Sequence, residues 1–139
     1  MTRPILVADA SVALKWFHST GEEAVEAARE VLEAFADRRI DLVILDLTVY
    51  EIGNALSRRP EASPESVAVV LDALTEIRVP TAPTAAERAD AARLGKDHRL
   101  TFYDAAYAAV ARGRGARLVT MDRGLLTAGL GVRPEDALV

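Results

Sequence analysis

Four acids stand where they could act together: Asp9, Glu51, Asp104 and Asp122. Asp9 closes the apolar run Ile5-Leu6-Val7-Ala8, and Asp122 follows the run Leu118-Val119-Thr120 with one residue between. A carboxylate just past a buried-looking strand either caps the next helix or belongs to a site. Glu51 and Asp104 end "TVYE" and "TFYD", which both have capping-box spacing with Thr48 and Thr101 as caps. Taken singly, each acid has a structural explanation. Taken together, they have a chemical one. In an open parallel sheet, residues just past the carboxyl ends of the strands line one crevice. Four carboxylates sharing a crevice repel one another and are held by a divalent cation or by raised pKa values. Oxygen-only ligands and the absence of cysteine favour Mg2+ or Mn2+ over Zn2+. Polar companions fit the same site. Ser11 and Thr120 lie two residues from Asp9 and Asp122, and Asn54 shares a helix face with Glu51.

The elements that would position these side chains alternate along the chain. Residues 5–8 and 42–45 read as short buried strands, apolar without alternation. Weaker strands are expected at 77–80 and 117–120, with a doubtful fifth near 131–133. "SVALKWF" has helical spacing, and residues 22–39 form an amphipathic helix with Val25, Ala28, Val31, Leu32 and Phe35 on its apolar stripe. Further helices are expected from Thr48 to Pro60 and from Ser63, a cap followed by a first-turn proline. Others are expected over 84–99 with Gly95 breaking the last turn, over 101–115, and near 123–128. Strand–helix alternation of this kind means a parallel sheet covered on both faces, a three-layer α/β/α architecture of four to five strands.

The bulk properties are compatible with one domain over residues 1–139. Half of the residues are hydrophobic, which supports a packed core rather than disorder. The net charge of -4 counts weakly against a nucleic-acid partner, because a local field can oppose the global sign. The lack of cysteine suits the cytoplasm, and no apolar run is long enough for a signal peptide core or a membrane span. His18 and His98 are lone histidines, distant in sequence from the acids, and neither is expected to act as a general base.

The stretches "VADASVALKWF", "TVYEIGNAL" and "TFYDAAYAAVARGRGARLVTMDRGLL" resemble the PIN-domain family, and more narrowly the VapC toxins of toxin–antitoxin pairs. The likeness runs nearly end to end, with the four acids in the family's order. It implies that Asp9, Glu51, Asp104 and Asp122 bind metal and that Ser11, Asn54 and Thr120 accompany them. It implies a sheet of order 3-2-1-4-5. It further implies a Mg2+- or Mn2+-dependent endoribonuclease, often a homodimer, leaving a 5′-phosphate and a 3′-hydroxyl and restrained by a VapB-type antitoxin. One departure is clear. Many relatives carry a further acid just after the last aspartate, whereas Arg123, Gly124 and Leu125 follow Asp122 here. That bears on tight binding of a second ion.

Phosphodiester hydrolysis suits this inventory, because the chain offers no covalent nucleophile beside a base and a bound metal can activate water. Lys15, Arg58, Arg112, Arg114, Arg117 and Arg123 are candidates for holding an RNA backbone, most of them as ordinary solvated surface. "ALKWF" is expected to offer an exposed apolar patch to the antitoxin. Two rivals remain at this level. An aspartyl phosphatase would want a second acid where Ser11 stands. A catalytically degenerate domain would act only by binding a partner.

Overall fold

The structure is a computed structural model that describes residues 2–17 and 23–139. His18 lies outside the described residues. The centre is a parallel sheet of three strands, β1 (Ile5–Ala8), β2 (Asp41–Val43) and β3 (Arg117–Val119), in the order β2-β1-β3. Leu6 pairs with Leu42 on one side and Arg117 on the other, so β1 is central and fully laddered. The helices are α1 (Ala10–Ala13), continued by a 3-10 turn, α2 (Val25–Ala36), α3 (Asp46–Ser57), α4 (Pro64–Ile77), α5 (Ala85–His98), α6 (Phe102–Gly113) and α7 (Arg123–Thr127).

Alternation along β1 sorts the core into two halves, because successive side chains leave opposite faces of a strand. Leu6 and Ala8 join Val12 and Trp16 with residues of α2, α3 and α4. Val7 faces the other way, into Ala91 and Leu94 of α5, the buried run Ala105–Ala111 of α6, and Leu125 of α7. The three layers expected from the sequence are present. Among the described residues, no helix is long and apolar enough to cross a membrane.

The sheet is smaller than the four to five strands expected, and prolines explain why. The third expected strand, 77–80, is reduced to one parallel bridge between Thr81 and Leu45. Thr81 N–H donates to Ile44 O at 2.9 Å and its carbonyl accepts from Asp46 N–H at 3.0 Å. Pro80 and Pro83 flank this residue, and proline has no N–H to extend the ladder. The fifth expected strand is likewise one bridge, Val132 to Val119, with Pro134 two residues on. These bridges occupy the outer positions, so the order 3-2-1-4-5 survives in reduced form. Gly131 is required there: a Cβ would lie 2.7 Å from Thr120 Cγ2, too close for any side chain.

Three local expectations are corrected. Gly95 does not break its helix, which runs on to His98 and ends at Arg99 in the left-handed region. A Cβ at Gly95 would approach Leu100 O at 3.3 Å and Ala105 Cβ at 3.5 Å, so the glycine serves the close packing of α5 on α6. Thr48 does not cap α3, which starts two residues earlier at Asp46 after Leu45. Trp16 is not an exposed anchor. It is 8% exposed, and its Nε1 donates to Ala28 O at 2.8 Å. The hydrophobic spacing of "ALKWF" is therefore core packing against α2.

Candidate active site

Parallel strands place their carboxyl ends together, and the start of each following helix lies over that edge. Asp9 leaves β1 as the N-cap of α1, with Oδ1 accepting from Val12 N–H at 3.3 Å. Asp122 follows β3 in the same way as the N-cap of α7, with Oδ2 accepting from Leu125 N–H at 2.9 Å. The capping explanation is thus correct for both. It does not exhaust them, because the two loops are also stitched to each other. Ser11 Oγ donates to Asp9 Oδ1 at 2.5 Å and accepts from Met121 N–H at 2.9 Å. Thr120 Oγ1 donates to Asp9 Oδ2 at 2.5 Å and accepts from Asp122 N–H at 2.9 Å. Ser11 and Thr120 therefore fix the carboxylate of Asp9 and the approach of the Asp122 loop in one network.

Glu51 and Asp104 reach the same edge from α3 and α6. Thr101 caps α6, its Oγ1 accepting from Asp104 N–H at 3.1 Å. Glu51 is held by a residue that the sequence pattern does not single out. Tyr107 donates its phenol to Glu51 Oε1 at 2.6 Å, and the phenol oxygen sits 2.7 Å from Thr48 Oγ1. With the phenol proton directed at Glu51, Thr48 is the donor to Tyr107. Burial, and then the Glu51 charge, hold the Tyr107 phenol far above its ordinary range, so it remains a donor. One signal for Tyr107 was available: it lies three residues after Asp104, on the same helix face. Asn54 is not drawn in; it is exposed and makes no side-chain hydrogen bond among the described residues.

Electrostatics tie the four acids into one group. Burial pushes the Asp9 carboxyl up to about 6, against the pull of its Ser11, Thr120 and Val12 hydrogen bonds, with a further push from Glu51. Glu51 is raised by burial, and then by the charge of Asp104, against its bond from Tyr107. Asp104 is raised by burial and by the charge of Asp122. Three such links thus join the four acids across four separate elements. Among the described residues, none of the four has a salt bridge to a lysine, arginine or histidine. An anionic, oxygen-only crevice whose acids have no cationic partner among the described residues suits a hard divalent ion. The ring is open: among the described residues, no three acids or histidines are gathered closely enough to hold an ion as they stand.

Two expected outcomes follow from these contacts. Without divalent metal, an acid whose pKa is raised by folding costs nothing below about pH 4. Its cost grows until the folded group has ionised, above about pH 6 for Asp9. Glu87, paired with Arg114 at 2.9 Å, has a lowered pKa and weakens the fold in the opposite direction, as pH falls. Melts in EDTA should therefore lose stability between about pH 4 and pH 7, as Asp9 ionises in the fold, and level off toward pH 8. If Asp9→Asn removes none of the fall between about pH 4 and pH 7, the burial of the Asp9 charge is contradicted. Separately, Tyr107→Phe removes a phenol from between two partners, and Thr48 is fully buried. The loss should be about 1–3 kcal/mol by urea denaturation, the cost of an unsatisfied buried polar group. An unchanged urea midpoint would show that this bridge contributes nothing.

Three of the six basic candidates are engaged elsewhere. Arg112 pairs with Asp90 at 2.6 Å, Arg114 pairs with Glu87, and Arg117 donates to the carbonyls of Asp136, Ala137 and Val139. A hollow of about 740 Å³ lies at the amino end of the sheet, lined in part by Ile5, Leu6, Arg117 and Leu118, and so on the far side from the acids.

The PIN domain family matches residues 6–129 of this chain. The chain is 36% identical over 108 residues to a protein of Pyrobaculum aerophilum named exonuclease VapC9, covering 73% of this chain and 77% of that one. It is 34% identical over 125 residues to ribonuclease VapC3 of the same organism, covering 86% and 91%. In fold it is similar to VapBC2 of Rickettsia felis bound to a DNA fragment from its promoter, with a TM-score of 0.71, 14% identity, and coverage of 93% of this chain and 96% of that one.

Proposed function

The chain belongs to the PIN-domain family as a VapC-type member, and from that premise we propose that it is a metal-dependent endoribonuclease, the toxin of a VapBC-type pair. The observation that carries this reading is the linked set Asp9, Glu51, Asp104 and Asp122 at one sheet edge, with no cationic side chain paired to it among the described residues. The names of the two relatives, an exonuclease and a ribonuclease, agree with nucleic-acid hydrolysis. The Rickettsia felis complex agrees with an antitoxin partner of VapB type. A homodimer, a single domain over residues 1–139 and a cytoplasmic setting complete the proposal.

Asp9, Asp104 and Asp122 would hold Mg2+ or Mn2+, directly or through water, and Glu51 would position a water. A bound divalent ion supplies Lewis-acid stabilisation of the phosphate and a lowered pKa for water. The protein's own contribution is preorganisation. Ser11 and Thr120 fix both oxygens of Asp9, so the carboxylate does not reorient when charge arrives. Tyr107 holds one oxygen of Glu51 and leaves the other available. The aspartyl phosphatase reading loses ground, because Ser11 is spent on Asp9 and Met121 rather than placed to serve a leaving group.

Incubating the purified chain with unstructured RNA in Mn2+, Mg2+ or EDTA tests the proposal. Internal cleavage in either metal and none in EDTA is expected. Release of phosphate from small esters without RNA cleavage would favour the phosphatase, and neither activity the binding-only domain.

A further inference from the structure

The acids account for chemistry but not for how a strand is held against them, and the surface beside Asp104 and Asp122 has two features that address this. The first is aromatic. Tyr50, Phe102 and Tyr103 are 76%, 50% and 60% exposed. Tyr50 immediately precedes Glu51, Tyr103 immediately precedes Asp104, and Phe102 opens the same helical turn. The second is basic. A hollow of about 470 Å³ is lined by His98, Arg123, Gly124, Thr127 and Ala128. It abuts the site directly, since a Cβ on Gly124 would lie 3.2 Å from Asp122 Oδ2. Among the described residues, His98, Arg99 and Arg123 have no side-chain hydrogen bond or ion pair, in contrast to Arg112, Arg114 and Arg117. Basic side chains and aromatics therefore follow one another through the turn from α5 to α6, His98, Arg99, Phe102, Tyr103, and end on Asp104.

We propose that this turn, together with Arg123, grips single-stranded RNA: the His98–Arg123 hollow takes a backbone phosphate beside the one cleaved, and Phe102 and Tyr103 stack on unpaired bases. The inference rests on the ribonuclease reading and specifies its substrate. Cationic grooves that track a backbone, interleaved with exposed aromatics, are the pattern of sequence-tolerant single-strand binding. Bases locked in a duplex cannot be splayed onto such rings. Charge decides the occupant. A protein partner would need acids to meet the free cations, whereas a phosphate chain brings them at every residue, beside a site that already implies one.

The test uses the full chain, with Ca2+ replacing Mn2+ so that binding is read without cleavage. A labelled single-stranded oligoribonucleotide and a hairpin of matching sequence are titrated by fluorescence anisotropy at several salt concentrations. Arg123→Gln should weaken single-strand binding severalfold and flatten the dependence of log K on log salt by about 0.7, one phosphate contact. Arg123→Lys should restore most of the binding. Phe102→Ala and Tyr103→Ala should each weaken binding about 5- to 150-fold, the range spanned by stacking of one base. In Mn2+ these losses should fall on KM more than on kcat, and the paired hairpin should bind more weakly than the open strand. These side chains are exposed, so melting temperatures should stay near wild type. If the wild type cleaves RNA and all of these variants bind like it, the gripping surface is elsewhere and the ribonuclease reading stands. If the variants keep RNA affinity but change the mass measured by light scattering, the surface is a protein interface and the inference fails. If the wild type neither binds nor cleaves RNA, both readings fail together.

Discussion

Asp9→Asn is expected to lower RNA cleavage by about a thousandfold while making the metal-free protein more stable at pH 8. The two effects share one cause. Asp9 is a 4% exposed carboxylate whose pKa is pushed up to about 6 by burial. On the proposed function, losing its charge would remove a ligand from a site where a metal would supply several kcal/mol of transition-state stabilisation. Each 1.4 kcal/mol is a factor of about ten in rate. In the absence of metal the same charge is a burden. Two pKa units correspond to about 3 kcal/mol. Asn cannot accept from Thr120 as Asp9 Oδ2 does, which reduces the net gain to about 1–2 kcal/mol. The advantage of the variant should close as pH falls toward 4, where the wild-type carboxyl is protonated in both folded and unfolded chains. Cleavage assays in Mn2+ and melts in EDTA from pH 4 to pH 8 check both. A variant that cleaves RNA normally, or that melts below wild type throughout, would overturn the assignment.

Trp16→Ala is expected to cost about 3–5 kcal/mol of stability, the usual range for emptying a large aromatic from a core. Trp16 packs among Val12, Ala28 and Val31 and anchors its indole N–H on Ala28 O. It stands seven residues after Asp9, at the end of the helical segment that Asp9 caps. The variant should therefore also loosen the site, and any loss of partner affinity would be secondary to unfolding. Trp16 is the only tryptophan, so its removal silences intrinsic tryptophan fluorescence, and circular dichroism against urea is the appropriate measurement. A cost below about 1 kcal/mol would return Trp16 to the surface role that its spacing first suggested.

Legibility in the sequence followed the range of the interactions involved. Asp9 and Asp122 could be placed because a strand end is a local event, and the sheet topology then does the rest. Thr101 could be read as a cap for the same reason. Thr48 has identical spacing to Glu51 and yet is no cap. A long-range bond, Asp46 N–H to Thr81 O, goes with a start of α3 two residues earlier, and Thr48 is left inside the helix, buried against Tyr107. The outer strands failed because a pairing partner must be found at a distance, and prolines restrict how far the ladder can run. Tyr107 was hidden by its context, since one phenol in the run "AAYAAVA" looks like packing until the Glu51 carboxylate is seen beside it. Trp16 shows the converse: helical spacing revealed an apolar face but not what would cover it.

The claim that Glu51 and Asp104 share one metal site with Asp9 and Asp122 is tested most directly by thermal melts of the wild type, Glu51→Gln and Asp104→Asn, each in EDTA and in Mn2+. Gln at 51 still accepts from Tyr107, and Asn at 104 keeps the backbone bond to Thr101, so the main loss is charge. Burial and the Asp104 charge raise the Glu51 carboxyl, and burial and the Asp122 charge raise that of Asp104, so removing either charge relieves a cost in the metal-free protein. Both variants should melt at or above wild type in EDTA. Mn2+ at about 100 times its dissociation constant should stabilise the wild type by about 2.7 kcal/mol and the variants by clearly less. If both variants melt below wild type in EDTA and Mn2+ shifts all three equally, Glu51 and Asp104 serve only their local contacts and the shared site does not exist.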